Sequence, residues 1–119
     1  MTISNSAKET NFDELITSGV DMTVLNTVTV GLDISLSNTV YIQVSDEGGD
    51  HDTHVVTLQT SSDDISYEDT AHTISGIDDK DNIQIAAKFV RLKVTTAEPP
   101  PVEEEDPASC KLSIQAKEI

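Results

Sequence analysis

Apolar and polar residues alternate with a period of two along two consecutive stretches near the middle of the chain. The apolar positions of the first stretch are Val28, Val30, Leu32, Ile34 and Leu36, and those of the second are Val40, Ile42 and Val44. Because successive side chains of a strand point to opposite faces, each stretch predicts a β-strand. Only Ser37-Asn38 interrupts the alternation, which predicts an antiparallel hairpin with a tight turn.

Further strand patterns follow between turn signals. They cover about residues 53–60, 67–74 and 83–95, and a last one carries Cys110, Leu112, Ile114 and Ala116 on one face. Within 83–95 the alternation changes phase at Lys88-Phe89, which predicts a bulge or bend. Roughly eight strands with frequent turns predict an all-β fold, an antiparallel β-sandwich.

Residues 11–19 carry the signal of one short N-terminal helix. Asn11 can cap the first turn, Glu14 follows three residues later as in a capping box, and Gly19 can end the helix. The polar residues before it predict an extended arm that is ordered against a neighbour. The candidate contacts of this arm and helix are Ile3, Phe12, Leu15 and Ile16.

The chain divides into an N-terminal arm and helix at residues 1–19 and a sandwich domain at residues 20–119. The domain carries a Pro- and Glu-rich segment at residues 97–109. Its three consecutive prolines favour an extended polyproline conformation, and its four consecutive acids cannot be buried together. We therefore expect an exposed, stiff hairpin loop between the last two strands.

Charge is large and unevenly distributed. The formal net charge is −15. Residues 1–79 hold one lysine and fifteen acids, whereas residues 80–119 hold six basic residues and seven acids. Repulsion from phosphates argues against a nucleic-acid partner, and no apolar run approaches the roughly 20 residues that span a bilayer, so we expect no membrane contact.

Two acidic turns are candidates for Ca²⁺, which prefers several oxygen ligands from one tight loop. The residues concerned are Asp46, Glu47, Asp50 and Asp52 in one turn and Asp78, Asp79, Asp81 and Asn82 in the other. Neither has the spacing of an EF-hand loop, and a solvated acidic turn is the simpler explanation of both. The expected set of metal ligands is therefore none, with Ca²⁺ at these loops as the alternative.

The sequence predicts no enzyme. It contains no nucleophile elbow, no P-loop and no HExxH motif. Paired carboxylates such as Asp63 and Asp64 would need a substrate cleft lined by aromatic residues, and the chain has two tyrosines, two phenylalanines and no tryptophan. We assign no catalytic and no cofactor-binding residues.

Two predicted strands present basic side chains on their polar faces. If these strands are neighbours, four cations share one outward surface, which is our candidate interaction face: Arg91, Lys93, Lys111 and Lys117. Ordinary surface charge paired with nearby acids is the alternative. As an interaction face, the surface would dock an acidic neighbour, for which an identical subunit is one candidate.

Residues 55–70, VVTLQTSSDDISYEDT, and residues 87–96, AKFVRLKVTT, resemble two strand motifs of discoidin-type jelly rolls. Together with the last strand they are similar to small jelly-roll virion proteins of tailed phages, over roughly residues 39–119. Asp64 stands where glycine is usual in the motif, and Tyr67 where tryptophan is usual. The resemblance implies a sandwich of jelly-roll type and a structural role in a virion.

The expected function is a virion protein that decorates or cements the outer surface of a tailed-phage capsid. Its expected partners are the major capsid protein and further copies of itself, as a homotrimer. The alternative is a tail or fibre accessory module that binds a host-surface glycan.

Overall fold

The computed structural model describes residues 12–49, 53–76, 79–99 and 107–117. They form eight strands and, within these ranges, no helix. The strands are β1 (Phe12–Asp21), β2 (Leu32–Asp33), β3 (Thr39–Gly48), β4 (Val55–Ser61), β5 (Glu68–Ser75), β6 (Lys80–Gln84), β7 (Phe89–Thr96) and β8 (Ser109–Lys117). None of the described residues belongs to a helix long and apolar enough to cross a bilayer.

The strands form two four-stranded sheets in which every pairing is antiparallel. The first sheet has the order β1-β8-β3-β6, and the second has the order β2-β7-β4-β5. Apolar side chains from both sheets pack into one core. The all-β prediction is thus confirmed, with the two layers around one core that a β-sandwich requires.

Alternation places the core side chains as the sequence predicts in β3, β7 and β8. In β8 the side chains of Cys110, Leu112, Ile114 and Ala116 are buried, and the residues between them face outward. In β7 the buried set is Val90, Leu92 and Val94. Because the period of a strand is two, burying one face fixes the register of the whole strand.

The predicted helix at residues 11–19 is wrong for the part that the structure describes. Residues 12–21 form β1, which pairs with β8. A helix of this length is marginal in water, whereas the edge of β8 offers a ladder of backbone hydrogen bonds. Gly19, at φ 67°, lies where the register of β1 shifts between Thr17 and Val20. The glycine therefore allows an irregularity within a strand and does not mark the end of a helix.

The predicted hairpin of residues 28–44 is also wrong. β2 belongs to the second sheet and β3 to the first, so the chain crosses between layers at Ser37-Asn38. Only Leu32 and Asp33 form a regular strand, although residues 26–29 also bond to β7, for example Thr29 N to Leu92 O at 2.9 Å. Leu36 remains 74% exposed.

A crossover between the two sheets also explains the phase change at Lys88-Phe89. It separates β6, in the first sheet, from β7, in the second. The predicted bend is a crossover between layers. A change of layer reverses which face is buried, and a sequence records that reversal only as a shift of phase.

The segment at residues 97–109 joins β7 to β8, which lie in different sheets, so it is not a hairpin loop. Its two ends are buried: Glu98 is 4% exposed and Ala108 is 4% exposed. The acidic run at residues 103–106 lies outside the described residues. β1 also runs across the predicted domain boundary between residues 19 and 20.

Candidate interaction surface

The four predicted interface cations divide into two pairs. Arg91 and Lys93 lie on the outer face of β7 in the second sheet, and Lys111 and Lys117 lie on the outer face of β8 in the first. Because the core separates the two sheets, the pairs face opposite sides of the molecule. Periodicity identified the outward positions, but it could not identify which strands are neighbours.

In the described part of the molecule no lysine or arginine side chain is in salt-bridge contact with a carboxylate, although Lys88 acts on Asp33 at longer range. The histidine–carboxylate contacts found there join His54 to Glu98 and His72 to Asp81, and no such contact joins a lysine or arginine to a carboxylate. This holds for six of the seven basic residues of the chain: Lys80, Lys88, Arg91, Lys93, Lys111 and Lys117. In a chain with 22 acids, cations that have no carboxylate in contact are available to a second molecule.

Arg91 is the most ordered of these cations because two side chains hold its guanidinium. Strand pairing sets Gln59 of β4 opposite Arg91 on one side and opposite Asp69 of β5 on the other. Arg91 Nε donates to Gln59 Oε1 at 2.8 Å, and Gln59 Nε2 donates to Asp69 Oδ1 at 2.7 Å. Gln59 is only 3% exposed, so its amide orientation is fixed by the strand and by these two bonds.

Tyr67 supports the guanidinium from its face. Arg91 Cζ lies 4.0 Å from the centre of the Tyr67 ring, the geometry of a cation–π contact. The hydroxyl of Tyr67 donates to Asp64 Oδ1. Partial burial, followed by the hydrogen bond to Asp64, raises the pKa of Tyr67, so the phenol stays neutral and donates. We call Asp69, Gln59, Arg91, Tyr67 and Asp64 the Arg91 ladder.

The far end of the ladder touches Gly31. A Cβ atom at residue 31 would collide with the Asp64 carboxylate and the Tyr67 hydroxyl. Glycine therefore lets the chain before β2 close over the ladder. The ladder thus runs across the second sheet, from β5 to the segment that leads into β2.

The turn between β4 and β5 positions Asp64 and Tyr67. Asp63 Oδ1 accepts hydrogen bonds from Ile65 N and Ser66 N, both at 2.9 Å, and from Ser61 Oγ, also at 2.9 Å. These bonds, led by that from the Ser66 N–H, lower the pKa of Asp63. Asp64 then adopts φ 62°, a left-handed conformation that glycine and, less readily, aspartate can take.

An open groove of about 420 Å³ lies beside this turn. It is lined by Thr60, Ser61, Ser62, Ser66, Glu68, Ala86, Ala87 and Lys88. The lining offers hydroxyls and one charge of each sign, and it contains no aromatic side chain. The Tyr67 ring lies nearby, but Arg91 covers one of its faces, so that face cannot stack on a ligand in the groove.

The structure adds a buried pair, His54 and Glu98, that sequence reasoning missed. His54 Nδ1 lies 2.7 Å from Glu98 Oε2, and His54 Nε2 lies 2.7 Å from Gly76 O. Glu98 also accepts from the backbone N–H groups of Thr53 and His54 at 3.0 Å. The pair ties the start of β4 to the ends of β5 and β7. No periodicity distinguishes Glu98 from the acidic run that follows it.

The predicted contacts of the N-terminal arm are only partly placed. Ile3 and the side chain of Phe12 lie outside what the structure describes. Leu15 packs against the core, whereas Ile16 is 53% exposed. Of the two side chains that the structure places, Ile16 is therefore the one open to a neighbour.

The two acidic turns are likewise only partly placed. Asp50, His51, Asp52 and Asp78 lie outside the described residues, among which no group of three or more acidic, histidine or cysteine side chains could hold a metal. Asp46 Oδ1 accepts from Gly48 N at 2.8 Å, and Asp79 Oδ2 accepts from Ser75 N at 2.8 Å. Both carboxylates cap turns, which is a structural use of an acid.

No protein-family model and no curated protein matches the sequence. Among solved structures, the fold is similar to the crystal structure of SPBc2 prophage-derived protein YomS, with a TM-score of 0.57. The similarity covers 88% of this chain and 93% of that chain at 8% sequence identity. At this identity the likeness shows a shared all-β fold.

Proposed function

We propose that this chain is a virion structural protein of a tailed phage that decorates or cements the outer surface of the capsid. The observation that carries the proposal is the fold shared with a prophage-derived protein over nearly the full length of both chains. The sequence resemblance to small virion jelly rolls supports the same assignment. The role is one of binding and involves no catalytic step.

The strand order supports a jelly roll. In a jelly roll, eight strands form two sheets from a pair of Greek keys. The orders β1-β8-β3-β6 and β2-β7-β4-β5 arise when one long hairpin of eight strands folds over: β1 pairs with β8, β2 with β7, and β3 with both β6 and β8. We therefore assign the fold to that type.

The proposed partners are the major capsid protein and other copies of this chain, as a homotrimer. Large aromatic residues are scarce and the core consists mainly of Val, Ile and Leu, so contacts with partners would add to a modest core. The cations on both outer faces, none of which contacts a carboxylate among the described residues, would provide attraction to acidic neighbours.

The second candidate is a glycan-binding module of a tail or fibre. The groove beside the β4–β5 turn favours it, because hydroxyls, Glu68 and Lys88 can hydrogen-bond a sugar. The lack of an aromatic platform in that groove favours the capsid role.

The test is to locate the chain in purified particles of the phage or induced prophage that encodes it. Peptide quantification against the major capsid protein, with a reconstruction of whole particles, gives copy number and position. We expect many copies at symmetric positions on the capsid surface. Copies confined to the tail would support the second candidate, and particles without the chain would overturn both.

A further inference from the structure

We propose that a second copy of this chain docks, through its carboxylates, on the outer face of the second sheet around Arg91. We call this surface the Arg91 face and define it by Arg91, Lys93, Val28, Val30 and Ile65. The inference names the surface by which copies of the proposed virion protein would meet, and its biological meaning rests on that proposed function.

The first step is the state of the guanidinium. The Arg91 ladder uses Nε and one face of the group, and neither Nη atom bonds to another described residue. Neither is among the fully buried side-chain atoms that lack a partner, so both Nη atoms are accessible to solvent. Four N–H donors therefore remain in a planar fork with fixed orientation, which matches the two oxygens of a carboxylate.

The second step is why this order favours binding. A surface arginine ordinarily loses side-chain freedom when it forms an ion pair, and that loss cancels much of the gain. Gln59 and Tyr67 already restrict Arg91 in the free molecule, so a partner carboxylate would meet a preorganised donor. Arginine and tyrosine are also the residue types that most often dominate protein interfaces.

The third step is the surroundings. Val28 is bridged to Lys93, which places it beside that cation on the outer face of the sheet. Val30 precedes Gly31, and Ile65 follows Asp64, so both border the Asp64 end of the ladder. Their exposed fractions are 41% for Val28, 69% for Val30 and 81% for Ile65. Apolar side chains around a charged centre exclude water from it when a partner binds.

The fourth step is the occupant. A carboxylate-bearing partner follows from charge complementarity, and the chain itself carries 22 acids against seven basic residues. An identical copy therefore carries an excess of carboxylates that can reach Arg91 and Lys93. A heterologous contact of this kind closes into a ring when the rotation between neighbouring copies closes, as a threefold rotation does in the proposed trimer.

The experiment is sedimentation equilibrium of the full chain at low and high salt, comparing four variants with the wild type. Arg91→Gln removes the charge, and Arg91→Lys keeps the charge but removes the fork and its stacking on Tyr67. Ile65→Asp alters an apolar side chain that is 81% exposed and lies outside the core. Lys80→Gln, an exposed lysine of the first sheet, is the matched control. Thermal melts verify that each variant is folded.

We expect the wild type to self-associate in low salt, with a dissociation constant that rises about tenfold or more in high salt. Arg91→Gln, Arg91→Lys and Ile65→Asp should each weaken association about tenfold or more, and Lys80→Gln less than about threefold. A wild type that stays monomeric, or Arg91 variants equal to Lys80→Gln, would overturn the inference. These solution outcomes do not depend on where particles carry the chain, so they separate this inference from the proposed function.

Discussion

At the scale of single residues, the β4–β5 turn explains why this chain can depart from the motif it resembles. The motif usually has glycine where Asp64 stands, and Asp64 indeed adopts the left-handed conformation that glycine takes without strain. In return, its carboxylate accepts the Tyr67 hydroxyl, a bond that glycine could not make. Aspartate at this position therefore carries more backbone strain than glycine would, but it gains a hydrogen bond within the Arg91 ladder.

Two substitutions of Asp64 separate those contributions. Asp64→Ala and Asp64→Gly both remove the acceptor, but only alanine keeps the steric cost of the left-handed backbone. We expect Asp64→Ala to unfold with a free energy about 1 kcal/mol lower than Asp64→Gly, as measured by urea denaturation. Asp64→Asn, which keeps an acceptor and tolerates the conformation, should remain close to the wild type. Equal stabilities for the alanine and glycine variants would show that the backbone at residue 64 is unstrained.

The charge of Asp63 makes the stability that the β4–β5 turn contributes depend on pH. Hydrogen bonds from Ser66, Ile65 and Ser61 lower the pKa of Asp63 in the folded protein, so the unfolded chain binds its proton more readily. The stabilisation is therefore present above the unfolded pKa of about 3.9 and is lost as the pH falls through the folded value.

Asp63→Asn should accordingly melt at a lower temperature than the wild type at neutral pH, and the difference should shrink as the pH falls below about 4. The measurement is a series of thermal melts from neutral to acidic pH. Glu68→Gln, which changes an exposed acid whose side chain makes no hydrogen bond among the described residues, is the matched control. If the difference in melting temperature between Asp63→Asn and the wild type persists in acid, the charge of Asp63 is not what stabilises the turn.

At the scale of elements, sequence patterns predicted the central strands and the edge strand β5, but they failed at the edge strands β1 and β2. β3 and β8 are central in the first sheet, and their alternation follows directly from burial on one side. β1 and β2 are edge strands, where fewer neighbours constrain the pattern. In β1, Phe12, Leu15 and Ile16 suited a helix face equally well, and only pairing with β8 decides between them.

The candidate site shows the same limit. Alternation placed Arg91 and Lys93 together on one outer face, and the structure agrees because both belong to β7. It could not reveal that β8 lies in the other sheet, nor that Gln59 and Tyr67 would hold the guanidinium. Strand order is a property of long-range pairing, and periodicity carries no information about it.

The His54–Glu98 pair fastens three element ends and should therefore be costly to break. Glu98→Ala leaves the backbone N–H groups of Thr53 and His54 without their acceptor and leaves His54 without its carboxylate. We expect a loss of about 3 kcal/mol in the free energy of unfolding, measured with urea. Glu68→Ala on the exposed face of β5 should change it by less than about 0.5 kcal/mol. Similar values for the two variants would mean that the pair contributes little.

At the scale of the whole molecule, two electrostatic effects act in opposite directions. A net charge of −15 on a 119-residue chain makes the folded monomer repel itself, because compaction brings the acids closer together. The Arg91 face, by contrast, would attract the acids of a second copy. Salt screens both interactions, so it should strengthen the monomer while it weakens the assembly.

The two effects of salt can be separated by melting the same protein at two concentrations. At a concentration low enough to keep the chain monomeric, raising the salt from about 50 to about 500 mM should raise the melting temperature by a few degrees, because screening reduces the self-repulsion. At a concentration where the wild type associates, the gain should be smaller, since salt also removes the stabilisation that assembly provides. Arg91→Gln cannot use the Arg91 face, so its melting temperature should rise with salt by the same amount at both concentrations, as in the dilute wild type. Lys80→Gln should follow the wild type. A melting temperature that falls with salt in the dilute sample would mean that attractive charge pairs, rather than net repulsion, dominate the electrostatics of the monomer.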